Sequence, residues 1–329
     1  MTAWPAGFER IPADDWVERP PETLALKYDT VQDHGWYRNL DPTVRDLAAA
    51  LQPGEILLDY SGGTGILAER LLSALPDVEL GILIVDASPK FLRVALDKLG
   101  ADERVAFRLI RFLKDERRLE TVQEVVGAEL VERGVDAVSS TNAIHLYYDL
   151  DDTLRSWHDL LVPGGRALVQ SGNIGVAELP AGCWIIDETV DAINVAAAEL
   201  VREDERYAAY RDGLSDPKRV AAYEELRRKF FLPVRPLKHY IEALERAGFR
   251  IRDVAHLPIE ARTAEWTDFL ATYHEGVLGW VGGSERIEGI APTEAALGDR
   301  LRLLREAIRR VFGGPTFQAV WTYIEAEAG

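Results

Sequence analysis

From Ile56 onward the chain alternates short, continuously apolar runs with longer segments whose apolar residues recur every three or four positions. Short continuous runs suit strands buried on both faces, and the longer period suits helices crossing between them, so the pattern predicts a mostly parallel sheet of the α/β class. Ile56-Leu57-Leu58 is the first strand, and Ile66, Leu67, Leu71, Leu72 and Leu75 then lie on one helix face closed by Pro76. A second apolar run ends at Asp86, after which Ser88 and Pro89 supply a helix start and Gly100 a stop. Residues 105–113 read as a third strand, 122–131 as a helix and 135–140 as a fourth strand. Leu154, Trp157, Leu160 and Leu161 share a helix face that ends at Pro163-Gly164-Gly165 and leads into a fifth strand over 166–170.

Past Gly175 the alternation stops and two long helical patterns follow, at 185–206 and from an Asp216-Pro217 start to Phe230. It resumes with Leu237, Tyr240, Ile241 and Leu244 on one helix face, then Gly248-Phe249 and a strand over 251–259. Another helical stretch at about 264–312 precedes a last strand, in which Phe317, Ala319, Trp321 and Tyr323 alternate with Gln318, Val320, Thr322 and Ile324. The expected organisation is a helical N-terminal cap over 1–51, a ligand-binding core over 52–175, a helical insert over 176–234, a core helix and strand over 235–260, a second helical insert over 261–314 and a final core strand over 315–329.

Composition narrows the function. A formal charge of -17 repels a phosphate backbone, so nucleic acid is not an expected partner. The most basic stretch, Arg227-Arg228-Lys229 onward to Arg235, Lys238 and His239, reads as a solvated helix face. A single cysteine, Cys183, leaves no internal disulfide and fits a reducing cytosol. Residues 1–21 lack the pattern of a secretory signal, and no apolar stretch approaches the roughly 20 residues that span a bilayer, so a soluble, cytoplasmic protein without a membrane partner is expected. His34, His158, His239, His256 and His274 show no metal-ligand spacing, and no metal is expected.

The candidate chemistry lies between the first strand and the first helix, in Asp59-Tyr60-Ser61-Gly62-Gly63-Thr64-Gly65. Glycines there let the backbone turn tightly and approach a ligand, which then meets the positive end of the helix. The loop alone is ambiguous: Gly63-Thr64-Gly65-Ile66-Leu67-Ala68 also satisfies a loose dinucleotide fingerprint, with Asp86 placed for a ribose. Asp59 tilts the choice, because a carboxylate before the glycines suits a ligand carrying an ammonium group and is poorly placed beside a pyrophosphate.

Asp59 to Gly65, Asp86, the strand end from Asp136 to His145, and Leu161-Val162-Pro163-Gly164-Gly165 resemble, in order and spacing, the successive motifs of the class I S-adenosylmethionine-dependent methyltransferases. The resemblance covers about residues 28–172 and extends to the two closing strands. It implies a Rossmann-like, mostly parallel seven-stranded sheet with an antiparallel last strand, and S-adenosyl-L-methionine as cofactor. It also implies that Asp59, Ser61, Gly62, Gly63 and Gly65 hold the methionine portion and that Asp86 accepts the ribose hydroxyls, with Ala87 and Thr141 beside them. Phe112 is a candidate to stack on adenine, or a core residue. Two departures stand out. Ser61 replaces the family's first loop glycine, and Arg111-Phe112-Leu113-Lys114-Asp115 offers no clear counterpart of the acidic residue that often follows the third strand.

Methyl transfer from a sulfonium needs alignment and exclusion of water, and a base only when the nucleophile arrives protonated. His145, in Thr141-Asn142-Ala143-Ile144-His145, is similar by place to the base of many small-molecule O-methyltransferases, and is equally readable as a structural hydrogen-bonder. Cap and inserts are expected to close over the strand ends, making Tyr28, Trp36, Tyr37, Tyr148, Trp184, Trp266, Tyr273 and Trp280 candidates for an aromatic acceptor pocket. The resulting expectation is methylation of a small aromatic or carboxylated metabolite, at oxygen ahead of nitrogen or carbon, with a homodimer left open. An NAD-dependent oxidoreductase on the same loop and a non-catalytic methyltransferase-like partner protein are the rival readings.

Overall fold

The computed structural model describes residues 3–329, so the first two residues of the expected cap lie outside the described residues. Strands β1 (Ile56–Tyr60), β2 (Gly81–Asp86), β3 (Val105–Leu109), β4 (Val135–Thr141), β5 (Leu161–Ser171), β6 (Phe249–Arg262) and β7 (Thr316–Ala328) form one sheet in the order β6-β7-β5-β4-β1-β2-β3. β1 runs parallel to β2 and β4, β2 to β3, and β4 to β5, whereas β7 is antiparallel to both β5 and β6. The two-residue strand Cys183–Trp184 lies parallel along the far part of β7. The Rossmann-like sheet with its antiparallel last strand is therefore the architecture present.

Every residue of β1 and β3 is buried, because helices cover both faces of the sheet. One core fills the face under α5 (Leu150–Leu160) and α8 (Leu237–Arg246). Another lies under α3 (Ile66–Ala74) and α4 (Pro89–Leu99). The chain before the first helix closes the β3 edge: Arg10 O accepts the Phe107 N–H at 2.9 Å, and Trp16 is fully buried.

Two elements differ from their sequence expectation. β3 stops at Leu109, and Phe112–Leu113 folds back on Arg118–Leu119 as a short hairpin, since the charged run 114–118 cannot stay in a buried strand. The helix expected over 122–131 is split at Gly127, whose φ of 90° ends Val122–Val126 before Ala128–Arg133 begins.

The cap and both inserts share a third core. Val31, Trp36, Tyr37 and Leu40 from the cap pack with Ile186, Val190 and Ile193, with Trp266 and Leu270, and with Phe317 and Trp321 of β7. The cap residues come from the 3-10 turns Thr30–Asp33 and Gly35–Leu40, which lie between α1 (Thr23–Asp29) and α2 (Asp41–Ala50), and the inserts contribute α6 (Glu188–Glu203), α7 (Pro217–Phe230), α9 (Thr263–Thr272) and α10 (Glu294–Phe312). Segments far apart in sequence thus form one body beside the sheet. Among the described residues no helix is long and apolar enough to cross a membrane.

Candidate functional site

The sheet order reverses at β1, which has β2 on one side and β4 on the other, and open α/β sheets bind ligands above the carboxyl ends of strands at such a point. β1 leads there into Ser61-Gly62-Gly63-Thr64-Gly65 and then α3. Ser61, Gly63 and Gly65 take left-handed φ values of 59°, 58° and 78°. For Ser61 that costs roughly 1 kcal/mol, and its hydroxyl lies near that of Tyr147, which is hydrogen-bonded to Ser140 Oγ. Gly62 has no room for a side chain: a Cβ would lie 2.7 Å from Asp59 Oδ2. Gly63 is the opposite case, with no atom within 4 Å of where its Cβ would sit, so the loop presents bare backbone to open space.

Two carboxylates flank the loop. Asp59 is fully buried beneath it; Oδ1 accepts the Ser139 hydroxyl at 3.1 Å, and Oδ2 has no partner among the described residues. Burial pushes its carboxyl up to about 7. Asp86 ends β2, with Oδ2 accepting the Gly63 N–H at 2.9 Å and Oδ1 the Ser88 N–H at 2.7 Å. Burial raises this carboxyl too, to about 6, against the lowering effect of those N–H groups.

A cleft of about 400 Å³ opens over β1, β2 and β4. Of the residues singled out from sequence, it brings together Ser61, Gly63, Asp86, Ala87, Thr141, Tyr28 and Tyr148. Asp59, Gly62 and Gly65 shape the loop from below without lining the cleft, and exposed Phe112 packs edge-on against Tyr148 at 5.2 Å. Tyr28 stacks on Phe91 of α4 at 4.9 Å, so the cap reaches the cleft at that point. Tyr28 also borders a smaller cavity with Tyr273, Phe269 and His34.

The remaining candidates lie elsewhere. Trp36 and Tyr37 are buried in the third core, where Trp36 stacks on Trp321 at 6.0 Å. Trp266 stacks on Phe269 at 5.0 Å and donates its indole N–H to Thr189 Oγ1 at 3.1 Å. Trp280 is buried there too, and Trp184 packs against Phe312. His145 sits in a single 3-10 turn (Ile144–Leu146) after β4, with Nδ1 3.0 Å from Ser171 Oγ, and does not line the cleft. Burial alone pulls its imidazole down to about 4, so it is neutral at pH 7.

Sequence reasoning passed over Tyr147, Phe91, Ile110, Leu119 and Asn142, all of which line the cleft. Asn142 is the most distinctive, a non-glycine residue at φ 54° immediately after β4. Its N–H faces Gln170 O at 2.7 Å and Gln170 Oε1 at 3.0 Å, and its Oδ1 accepts the Trp321 indole N–H at 2.8 Å. No pattern in the sequence marks such a residue, because its partners come from β5 and β7.

Residues 58–167 match the protein family described as a methyltransferase domain. A ubiquinone/menaquinone biosynthesis C-methyltransferase of Coxiella burnetii is 28% identical over 173 residues, which is 50% of this chain and 63% of the relative. The protein of the same name from Ectopseudomonas mendocina is 28% identical over 169 residues, or 50% of this chain and 61% of its own length. The matched stretch thus spans less than two thirds of these relatives. A solved phosphoethanolamine N-methyltransferase 2 of Haemonchus contortus, in complex with phosphomonomethylethanolamine and S-adenosylhomocysteine, aligns over 95% of this chain and 59% of its own, at 16% identity and a TM-score of 0.47.

Proposed function

We propose that this chain, a class I S-adenosylmethionine-dependent methyltransferase by family, methylates a small-molecule acceptor at oxygen or at a carbon activated by oxygen. The observation that carries the reading is the cleft, where bare loop backbone at Gly63, the Asp86 carboxylate and the end of β4 face one space. Those groups fit the cofactor: Asp86 for the ribose hydroxyls, the Ser61–Gly63 backbone for the methionine portion, and Ile110 and Leu119 as an apolar wall for adenine. Asp59 acts from beneath the loop, its field favouring an ammonium group above it. When bound, the cofactor supplies a methyl group on a sulfonium, which passes to a lone pair of the acceptor while the carbon–sulfur pair stays on sulfur.

The protein's own part is placement. Tyr28 and Phe91 close one side of the cleft, and Leu146, Tyr147 and Tyr148 after β4 stand on its border; among the described residues the inserts contribute none to its lining. His145 enters as a neutral imidazole that fixes Ser171, whose Oγ also accepts the Asn173 N–H at 3.0 Å. A group held near 4 is a weak proton acceptor at pH 7, so the acceptor is expected to arrive already ionised. The curated relatives are named as C-methyltransferases, which favours an acceptor able to react at carbon as well as oxygen.

Thermal shift with S-adenosylmethionine, S-adenosylhomocysteine and NAD tests the reading: the first two are expected to raise the melting temperature and NAD to leave it unchanged. Stabilisation by NAD alone would sink it. A pH dependence follows as well. Asp59 at about 7 and Asp86 at about 6 are raised by burial, and an ammonium group and ribose hydroxyls stabilise their ionised forms, lowering both on binding. S-adenosylhomocysteine affinity should therefore fall as pH drops from 8 through 7 and 6, with protons released on binding in that window. Calorimetry in phosphate and in Tris, whose ionisation enthalpies differ, reads the proton count; none released at pH 6.5 would contradict these roles.

A further inference from the structure

We propose that the carboxamide N–H groups of Asn142 bind the oxygen of the methyl acceptor, and that they select a phenolate or enolate oxygen over an amine. The assignment rests on reading the cleft as the cofactor site. β4 and β2 flank β1, and neighbouring strands lie about 4.8 Å apart, which sets the end of β4 roughly 10 Å from Asp86. With the ribose on Asp86, the reacting end of the cofactor extends over β1 toward β4, where Asn142 stands.

The side chain is fixed at that place. An indole N–H can only donate, so the Trp321 contact at 2.8 Å fixes the amide oxygen toward β7, and the NH2 group has no hydrogen-bond partner among the described residues. Asn39 Nδ2, at 3.4 Å, meets the same oxygen from the cap. The left-handed backbone at φ 54° is tolerated by asparagine better than by most residues, yet still carries strain of the kind found at functional sites.

A second donor stands in the same cleft. Tyr28 lines the same cleft, its oxygen faces the Tyr37 hydroxyl, and burial holds its proton on to about 12, which makes it a second donor. Neither nearby carboxylate stands beside the carboxamide: Asp59 is buried under the loop at the end of β1, and Asp86 lies at the end of β2, two strands from Asn142. Donors at the end of β4, with no carboxylate beside them, suit an oxyanion; an amine acceptor requires hydrogen-bond acceptors around its nitrogen.

The test uses 4-nitrophenol, a chromophore that ionises near neutrality, titrated by absorbance against the full-length protein saturated with S-adenosylhomocysteine. In the wild type the pKa of the bound phenol should fall by about one unit. Asn142→Gly suits the left-handed backbone, so it should fold, keep S-adenosylhomocysteine affinity within fivefold by calorimetry, and abolish the shift. Asn142→Asp keeps an acceptor for Trp321 but replaces the donors by a charge, and should reverse the sign of the shift. No shift in the wild type, or the same shift in Asn142→Gly, overturns the assignment. A loss of S-adenosylhomocysteine affinity beyond fivefold in Asn142→Gly also overturns it, by giving the donors to the cofactor. Failure of the wild type to bind S-adenosylhomocysteine is a separate result and removes the cofactor reading first.

Discussion

Asp86→Ala is expected to weaken S-adenosylhomocysteine binding by about 100-fold. Hydrogen bonds to a charged group contribute roughly 1.5–3 kcal/mol each, and two ribose hydroxyls converging on one carboxylate give ~3 kcal/mol at the lower end, which is about 100-fold in affinity. The substitution also frees the Gly63 and Ser88 N–H groups, so the loop loses the contact that ties it to the end of β2. Asp86→Asn separates the two effects, since its carboxamide keeps one acceptor but turns a donor toward one of those N–H groups. A tenfold loss for asparagine against 100-fold for alanine would place most of the energy in the ribose contacts. Calorimetry with S-adenosylhomocysteine checks this directly, and an affinity for Asp86→Ala within threefold of wild type would refute the ribose assignment. Global stability should change little, because Asp86 lies at a strand end and the loss of its two N–H contacts is offset by removing a carboxylate whose ionisation, disfavoured by burial, weighs against the folded state at pH 7.

The sheet was legible because its signals were local. Continuous apolar runs marked β1, β2 and β4, and helix starts such as Ser88-Pro89, where Ser88 Oγ accepts the Phe91 N–H at 3.4 Å, were placed by residue type alone. The cleft was legible to the extent that loop and strand-end residues follow from strand positions, as with Gly63, Asp86 and Thr141. What escaped was set by tertiary packing. An aromatic residue on a helical stripe has the same spacing whether it faces a ligand or a core, so Trp36 and Trp266 could not be told from Tyr28 before the third core was seen. Asn142 escaped for a related reason, its conformation being imposed by Gln170 and Trp321 from two other strands. The third core itself joins residues from 31 to 321, a separation no periodicity argument spans.

That core depends on a residue with no conspicuous sequence signal, and Arg300→Ala is expected to cost about 3–5 kcal/mol of stability. Arg300, on α10, is 1% exposed. Its Nε donates to Val281 O at 2.9 Å, and Nη2 donates to Val281 O at 2.6 Å and to Gly279 O at 3.0 Å. Nη1 meets His274 Nδ1 at 3.1 Å. Carbonyl oxygens stand in for a carboxylate partner here, and they belong to the turn that carries Trp280 and Val281 into the third core. Truncation leaves those carbonyls buried and unpaired and opens a cavity beside them, two penalties that add. Arg300→Met fills most of the volume and tests the polar part alone; it should recover less than half of the loss. Because the two sheet cores do not share this turn, hydrogen exchange in Arg300→Ala should accelerate across α9 and α10 before β1 or β4. S-adenosylhomocysteine affinity should then suffer far less than stability, since Asp86 and the loop stand on the sheet. A loss under 1 kcal/mol by denaturant unfolding, or uniform exchange across sheet and inserts, would show that the body beside the sheet is not held together through Arg300.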